Sequence, residues 1–476
     1  MTPGLSLMSC ELLLSAGIAA LVLVDLFARD GRRAAGALFT PLLFGLLGWT
    51  LYRGPEGTLA GGAYVADGLA RFSKAVILLS AALTGLLSLG TLKAKGKFAG
   101  VYYTLLASSA LGMCFLVSSK ELITLYVGLE LATTGLFALT AFYKQDDLST
   151  EAGLKYLILG ASSSGILLYG LSLIYGLAGS TRLDAVAAAV AAGPVSPALT
   201  AGAALALLGV CFKLSVVPMH IWTPDVYHGA PTPVAAYISV ASKAAGAAFA
   251  LRLFPVMLAG LAPFWVPLLS GLALVTMTAG NLLAVPQSNL KRFLAYSTIS
   301  QAGYLLVGFV NAGPTGAASV LFYLAVYAVS NTAAFAVAAA FERAAGSGDL
   351  AAYDGLARRE PLLALVMLTA LLSLAGIPPL AGFVGKFYLF YAAMEKGYLW
   401  LVLGAAVNST VSLYYYLLVL KRMYILDGGA GLPAVEVPAG VKAALILCAA
   451  GMLALGLFPG PLIDAAAAAG RSLFPG

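Results

Sequence analysis

Long uninterrupted apolar runs recur along the whole chain and limit the folds that it can adopt. A run of about 20 apolar residues can cross a lipid bilayer as a helix. Inside a bilayer only helices and closed barrels satisfy the backbone polar groups, and these runs are too long for barrel strands. The sequence therefore predicts an all-α integral membrane protein. Its fourteen predicted spans lie near residues 5–28, 34–52, 69–92, 100–119, 122–143, 153–179, 199–224, 232–254, 264–285, 290–309, 317–342, 361–397, 399–424 and 441–463.

Composition and connection lengths leave no room for a soluble domain. Only 10% of the 476 residues are charged, whereas soluble domains carry about 25%. The first run lacks a basic start and a small-residue cleavage site, so it is predicted to be a retained span rather than a signal peptide. The longer connections can hold at most short surface helices. They lie near 53–68, 180–198, 343–360 and 427–440.

Basic residues are distributed unevenly between the two sides of the predicted bundle. Connections on one side hold 16 of the 27 Lys and Arg residues, the opposite side holds eight, and three lie inside spans. Cytoplasmic loops carry an excess of Lys and Arg, so the first side is predicted to face the cytoplasm and both termini to lie outside. The net charge of +7 follows from this topology, and no nucleic-acid partner is expected.

The residues that usually hold cofactors are too scattered to form a site. Cys10, Cys114, Cys211 and Cys448 have no CxxC or CxxH spacing, and the two histidines are only eight residues apart. An iron–sulfur cluster, a zinc site or a haem is therefore not predicted. The chain also lacks a glycine-rich phosphate loop after a strand. We expect no metal, redox cofactor or nucleotide in this chain.

Four charged residues lie well inside predicted spans. They are Glu130, Lys213, Lys243 and Lys386. A charge at the bilayer centre costs at least about 2.5–3.5 kcal/mol, so these residues are predicted to meet partners on other helices. One interpretation is a pair that only fixes helix packing. The other is a proton path, because burial favours a neutral lysine and a nearby carboxylate favours a charged one.

Other polar residues leave their roles open. His220 follows the first helix break and could relay protons or bond to freed carbonyls, whereas His228 is predicted to be solvated. Glu11 and Asp25 lie near the ends of the first span, where solvated positions would explain them. Span 10 carries a polar stripe that could either pack or line a wet channel. The stripe consists of Tyr296, Ser297, Ser300 and Gln301.

Prolines interrupt two spans close to these lysines. Pro218 follows Lys213 in FKLSVVPMHIW, and Pro378 and Pro379 precede Lys386 in GIPPLAGFVGKF. Proline removes a backbone donor and clashes with the preceding turn, so each helix is predicted to break there, with simple bending as the alternative. Broken helices in corresponding places are typical of inverted repeats around an ion site. We predict N-terminal helices at 1–99, inverted five-helix units at 100–254 and 255–425, and a last helix in 426–476.

Several stretches resemble a known family. KELITLYVGLELATTGLFAL, FKLSVVPMHIWTPDVYHGAPTPV, NLKRFLAYSTISQAGYLLVGF and LSLAGIPPLAGFVGKFYLF are similar to the antiporter-like subunits of respiratory complex I, over residues 100–425. Within that family, WTPDVYHGAPTPV differs from the WLPDAH..APTPVSA pattern of subunits L and M and of Mrp-type antiporters.

The resemblance implies a proton-translocating subunit of the membrane arm of NADH:quinone oxidoreductase in the bacterial inner membrane. By position it matches Glu130 and Lys213 to a charge pair, Lys243 to a central lysine and Lys386 to the lysine of the second broken helix. It implies that NADH, FMN, iron–sulfur clusters and quinone bind to partner subunits. The implied partners of this chain are other antiporter-like and small membrane-arm subunits, lipid and protons.

Three other interpretations remain open at this point. The chain could belong to an Mrp-type cation/proton antiporter, which works without redox chemistry. It could serve a related membrane complex that takes electrons from ferredoxin, hydrogenase or coenzyme F420. It could also be a scaffold that no longer pumps, although all four buried charges are present.

Overall fold

The computed structural model describes residues 3–27, 31–92, 98–428 and 435–474, which are almost entirely helical. The helices are α1 (Pro3–Leu7), α2 (Ser9–Phe27), α3 (Gly31–Arg53), α4 (Gly68–Thr91), α5 (Phe98–Val117), α6 (Leu122–Thr140), α7 (Asp147–Ala178), α8 (Leu183–Ala192), α9 (Pro197–Leu214), α10 (Trp222–Gly229), α11 (Thr232–Tyr237), α12 (Lys243–Arg252), α13 (Ala262–Ala284), α14 (Leu290–Phe309), α15 (Pro314–Ala345), α16 (Leu356–Arg359), α17 (Pro361–Ala375), α18 (Ala381–Met394), α19 (Leu399–Tyr424), α20 (Ala439–Leu457) and α21 (Gly460–Arg471). Strands β1 (Gly57–Leu59) and β2 (Tyr64–Ala66) pair antiparallel, with Gly57 opposite Ala66.

The predicted all-α membrane architecture is confirmed. Within the described residues, twelve helical segments are long and apolar enough to cross a membrane, and α11 and α12 form one of them through a π-helical turn at Ile238–Ser242. The other two predicted spans correspond to α14, a 20-residue helix, and to α17 with α18, which a break separates. The count of fourteen spans stays a prediction.

The connection at 53–68 differs from the prediction, because it contains a hairpin in addition to a short 3₁₀ helix at Ala60–Gly62. Its backbone bonds to the end of α5 and to the residues after it: Val65 N–H donates to the Ser118 carbonyl (2.7 Å), and Lys120 N–H donates to the Ala63 carbonyl (2.8 Å). These partners are more than fifty residues away in sequence. The other connections do hold short helices, α8 at 180–198 and α16 at 343–360, while residues 429–434 lie outside the described residues.

The first two helices of each predicted five-helix unit cross at glycines. A Cβ on Gly112 of α5 would lie 2.4 Å from the Ala132 nitrogen of α6, and one on Gly280 of α13 would lie 2.5 Å from the Ser300 nitrogen of α14. Small residues allow this close approach of membrane helices. The helix pairs α5–α6 and α13–α14 therefore pack in the same way.

The 32-residue helix α15 forms the centre of the bundle and is buried along most of its length. It contacts α4, α14, α17, α18, α20 and α21. Large apolar side chains on α2, α3, α7 and α19 are exposed, among them Leu23, Tyr169 and Val407. Such faces suit contact with lipid or with neighbouring membrane helices.

Candidate functional site

The helix that carries Lys213 ends one residue after it, as the proline pattern predicts. Helix α9 stops at Leu214, and Ser215 takes a left-handed conformation (φ 63°, ψ 37°). Val216 N–H donates to the Cys211 carbonyl (2.8 Å) and closes the last turn. Since Pro218 cannot continue the helix, carbonyl groups at the end of α9 lose their intrahelical partners.

The second broken helix ends in the same local structure. Helix α17 stops at Ala375, Gly376 is left-handed (φ 88°, ψ 43°), and Ile377 N–H donates to the Leu372 carbonyl (3.0 Å). Helix α18 then begins at Ala381. A left-handed residue with this reverse hydrogen bond is a common helix C-terminus. Leu214 and Ala375 occupy equivalent positions, immediately before the left-handed residue.

Two buried lysines bind the carbonyl oxygens of these equivalent residues. Lys243 Nζ donates to the Leu214 carbonyl (3.0 Å) and to Ser215 Oγ (2.7 Å). Lys386 Nζ donates to the Ala375 carbonyl (3.1 Å) and to Ser409 Oγ (3.0 Å). The side chains are 3% and 4% exposed. A cation is favourable there because a helix C-terminus carries partial negative charge.

Lys213 does not form a direct ion pair with Glu130 in this conformation. Its Nζ donates to Thr133 Oγ1 (2.8 Å), one turn along α6 from Glu130. No ion pair with an N···O distance below 4.0 Å joins Lys213 to Glu130 among the described residues. The Oε1 atom of Glu130 is buried without a hydrogen-bond partner. Lys213 is 6% exposed and thus lies in the interior of the bundle, whereas Glu130 is half-buried.

The two histidines lie on opposite ends of α10. His220 is half-buried with Nδ1 3.3 Å from the Pro218 carbonyl, so it contacts freed backbone at the break. His228 was predicted to be solvated, but it is half-buried and lines a cavity of about 910 Å³ with Lys291 and Glu342. Burial, and then the charges of Lys291 and Arg292, lower the pKa of His228, so its imidazole is mostly neutral at neutral pH.

Two neighbouring polar residues of α15 bond to residues near the two breaks. Asn331 Nδ2 donates to Ser239 Oγ (2.6 Å), one turn before Lys243. Its neighbour Ser330 is 2.8 Å from Ser373 Oγ, which accepts from Gly382 N–H at the start of α18. Polar contacts thus reach α15 from the Lys243 helix and from the Lys386 helix, at the adjacent positions Asn331 and Ser330.

Two residues of the polar stripe of span 10, Ser297 and Gln301, belong to a buried network at the second break. Gln301 Nε2 donates to the Leu374 carbonyl (2.9 Å) and to Tyr416 Oη (3.2 Å), and Tyr416 is 2.5 Å from Ser297 Oγ. Tyr323 Oη donates to Gln301 Oε1. These side chains are buried, and their hydrogen bonds form a connected series beside α14.

Asp225 lies on α10, the helix that follows the first break. It binds α10 to both predicted five-helix units. Its two oxygens accept hydrogen bonds from Lys155 of α7 (2.7 Å) and from Arg292 of α14 (2.8 Å). Burial alone would raise the pKa of Asp225, but these two bonds hold it below its usual value. The carboxylate is therefore charged at neutral pH and holds α10 in place.

Asp225→Asn is expected to lower the melting temperature of the protein at neutral pH by a few degrees, because both ion pairs are lost. A carboxylate with a depressed pKa stabilises the fold above its unfolded value of about 3.9, and the contribution disappears as the pH falls through the folded value. The difference from wild type should therefore shrink below about pH 4. Glu151→Gln, which removes only a more exposed partner of Lys155, is the control for thermal unfolding measured across this range. An equal loss in both variants would contradict the assignment.

The first span was predicted correctly, but the solvated positions predicted for Glu11 and Asp25 at its ends were wrong. Glu11 is only 1% exposed and forms an ion pair with Lys74 (2.6 Å), and Asp25 is half-buried. Arg252, the last residue of α12, is also buried and pairs with Asp67 (2.8 Å). These charges lie in the first or last turns of helices, where sequence position cannot distinguish solvent from a neighbouring helix.

The described residues thus define a multi-span membrane protein with buried lysines at two helix breaks; they include no cluster of three His, Cys, Asp or Glu residues suited to a metal ion. The NADH:quinone oxidoreductase/Mrp antiporter transmembrane family matches residues 119–412. NADH-quinone oxidoreductase subunit N of Moorella thermoacetica is 44% identical over 97% of both chains, and that of Heliobacterium modesticaldum is 46% identical over 86% of both. The chain belongs to the family of NADH-quinone oxidoreductase subunit N.

Solved structures agree with this family. A chain of respiratory complex I from Thermus thermophilus is 33% identical, with a TM-score of 0.83 over 96% of this chain and 99% of that chain. A chain of the Mrp complex from Dietzia sp. has a TM-score of 0.86 over 100% and 98% of the two chains, but it is only 23% identical and shows the shared fold alone. The relatives are named subunit N, so the WTPDVYHGAPTPV loop distinguished this branch from subunits L and M correctly.

Proposed function

We propose that this chain translocates protons in the membrane arm of an NADH:quinone oxidoreductase of the bacterial inner membrane. Quinone reduction in partner subunits would drive the protonation changes, and NADH, FMN, iron–sulfur clusters and quinone would bind there. Glu130, Lys213, Lys243 and Lys386 would carry the protons, with His220 relaying them near the first break. The partners would be other antiporter-like and small membrane subunits.

One observation carries the proposal: two buried lysines from different helices bind equivalent carbonyl groups at two broken helices. A lysine that only stabilises packing could use any acceptor. Here each ammonium group is held by neutral acceptors, the Leu214 or Ala375 carbonyl and a serine, with no carboxylate in an ion pair with it among the described residues. Neutral acceptors bind an ammonium group less strongly than a carboxylate does. Release of a proton from such a lysine therefore costs less than release from a buried ion pair.

The hydrogen-bonded groups between the breaks support transfer between the lysines. Ser239, which accepts from Asn331, lies one turn before Lys243, while Ser373, bonded to Ser330, accepts from Gly382, one turn before Lys386. With water in the remaining gaps, such groups can relay protons over several ångströms. Equivalent ends of α9 and α17, and equivalent glycine crossings in α5–α6 and α13–α14, support two repeated units at 100–254 and 255–425.

The experiment that tests the function is purification of the intact complex that contains this chain. Subunits for NADH oxidation and quinone reduction should copurify, and the complex in liposomes should acidify one side during NADH-driven quinone reduction. The chain alone should oxidise no NADH and show no visible absorption band. Copurification with Mrp-type subunits only, and proton movement without electron transfer, would favour the antiporter.

The proposed orientation places both termini outside the cytoplasm, and exposed alanines allow it to be checked. Ala191 and Ala344 are exposed and lie on opposite sides of five predicted spans. The native cysteines Cys10, Cys114, Cys211 and Cys448 are buried, so they should give little background. Ala191→Cys should react with an impermeant maleimide in spheroplasts, and Ala344→Cys only after permeabilisation. Reversed labelling would invert the topology, and labelling of both from one side would contradict the span count.

A further inference from the structure

A buried threonine on α6, Thr133, binds the amine of Lys213. Lys213 Nζ donates to Thr133 Oγ1 (2.8 Å), and the two residues are 6% and 4% exposed. The hydrogen atom of the hydroxyl group is directed elsewhere, because Thr133 Oγ1 itself donates to the Leu129 carbonyl (2.6 Å). The hydroxyl oxygen therefore meets Lys213 only as an acceptor.

Glu130 offers a second acceptor to the same amine. It precedes Thr133 by one turn of α6, so the two side chains share a face of the helix and lie about 4.5 Å apart along its axis. The Oε1 atom of Glu130 is buried without a hydrogen-bond partner. The flexible stem of a lysine can turn from one acceptor to the other without movement of either helix.

The two acceptors differ in what they do to a protonated lysine. A carboxylate binds an ammonium group more strongly than a hydroxyl group does, and it stabilises the charged form of the lysine. The Thr133 hydroxyl accepts a hydrogen bond but takes no proton. An amine bound to Thr133 is therefore still protonated, yet it is held less firmly than in an ion pair with Glu130.

An aromatic ring and the helix of Lys243 border this position of Lys213. Lys213 Nζ lies over the ring of Phe212, 5.7 Å from its centroid, and an aromatic face attracts a cation. Helix α12 begins at Lys243 and passes the stem of Lys213, since a Cβ on Gly246 would lie 3.5 Å from the Lys213 Cβ. The lysine bound to Thr133 thus contacts the helix of the central lysine.

We propose that Thr133 is a positioning residue for proton transfer, which holds the protonated amine of Lys213 away from Glu130 before the proton moves on. The proton stays on the lysine nitrogen while the amine is bound to Thr133, and Thr133 neither gains nor loses one. Without the hydroxyl, Glu130 is the stronger remaining acceptor and retains the ammonium group in an ion pair. The inference rests on the proposed proton-translocating function.

Thr133→Val tests the inference in the intact complex. Valine keeps the branched shape of threonine and replaces only the hydroxyl group. We expect normal abundance on native gels and proton translocation in liposomes slowed by about tenfold, because a hydrogen bond from a charged group shifts an equilibrium by at least about that factor. Thr133→Ser keeps the hydroxyl and should restore the wild-type rate.

Thr140→Val is the matched control. Thr140 lies on the same helix, is fully buried and donates to the Leu136 carbonyl (2.8 Å), just as Thr133 donates to Leu129, but it binds no lysine among the described residues. Its replacement should leave the rate unchanged. A normal rate in Thr133→Val, a slow rate in Thr133→Ser, or equal slowing in Thr140→Val would each overturn the inference.

Lys213→Met is measured beside these variants. Slow pumping in Lys213→Met with a normal rate in Thr133→Val overturns the inference and leaves the proposed function intact, whereas normal pumping in both overturns the proposed function itself. If Thr133→Val does not assemble, Thr133→Ala carries the test, because its smaller side chain also lacks the hydroxyl and cannot clash. The wild-type rate in Thr133→Ala would then refute the role of Thr133.

Discussion

Lys213→Met is expected to lower the number of protons that the assembled complex moves per electron pair and to slow coupled quinone reduction. Lys213 is only 6% exposed. The change replaces its amine-bearing side chain with an apolar one of similar length. A positioned proton-transfer group contributes about 10²–10⁴-fold to a rate, so the step through Lys213 should slow by at least about tenfold. Proton uptake and NADH oxidation measured together in liposomes give the ratio.

Local structure should survive this replacement. Thr133 keeps its own bond to the Leu129 carbonyl (2.6 Å), so loss of Lys213 strands no donor. Lys213→Arg is the matched control, because arginine keeps the positive charge but does not release its proton. Arginine should therefore also pump poorly. If Lys213→Arg pumps normally, Lys213 has only a structural role.

Lys243→Met is expected to reduce both assembly and pumping. The Leu214 carbonyl and Ser215 Oγ would lose the ammonium group that binds them, and a buried polar group left unsatisfied costs about 1–3 kcal/mol. Abundance on native gels should therefore fall together with proton translocation. The variant by itself does not separate the two roles of the residue.

Lys243→Gln separates them. A glutamine amide can donate to the Leu214 carbonyl but cannot carry a proton at physiological pH. The amount of assembled complex should recover relative to Lys243→Met, while proton translocation stays low. Recovery of both would mean that Lys243 only holds the end of α9.

The sequence could predict the fold class and the main charged residues because the bilayer restricts both. Apolar runs long enough to span a membrane must be helical, and a charge such as Lys386 inside a run is costly enough to require a role. The proline rule also located the break after Lys213 correctly, since no tertiary contact restores a missing N–H.

Contacts between helices could not be predicted in the same way. The bonds from Lys243 and Lys386 to carbonyl groups depend on which broken end faces which helix, and the sequence indicated a carboxylate partner for Lys213 rather than Thr133. Glu11 looked solvated because it lies near a span end, yet α4 and the hairpin cover it there. The hairpin itself depends on backbone partners at Ser118 and Lys120.

Lys386→Met provides the most direct test of whether the buried lysines carry protons or only hold the helix breaks. Ser409 Oγ already donates to the Ala375 carbonyl (2.9 Å), so the end of α17 keeps a donor when the ammonium group is removed. Lys396→Met, at an exposed lysine soon after α18, is the matched control. The measurement is the number of protons moved per electron pair by the assembled complex in liposomes. We predict a clear fall for Lys386→Met at normal abundance and none for Lys396→Met, whereas an unchanged ratio in Lys386→Met would contradict the proposed role of these lysines.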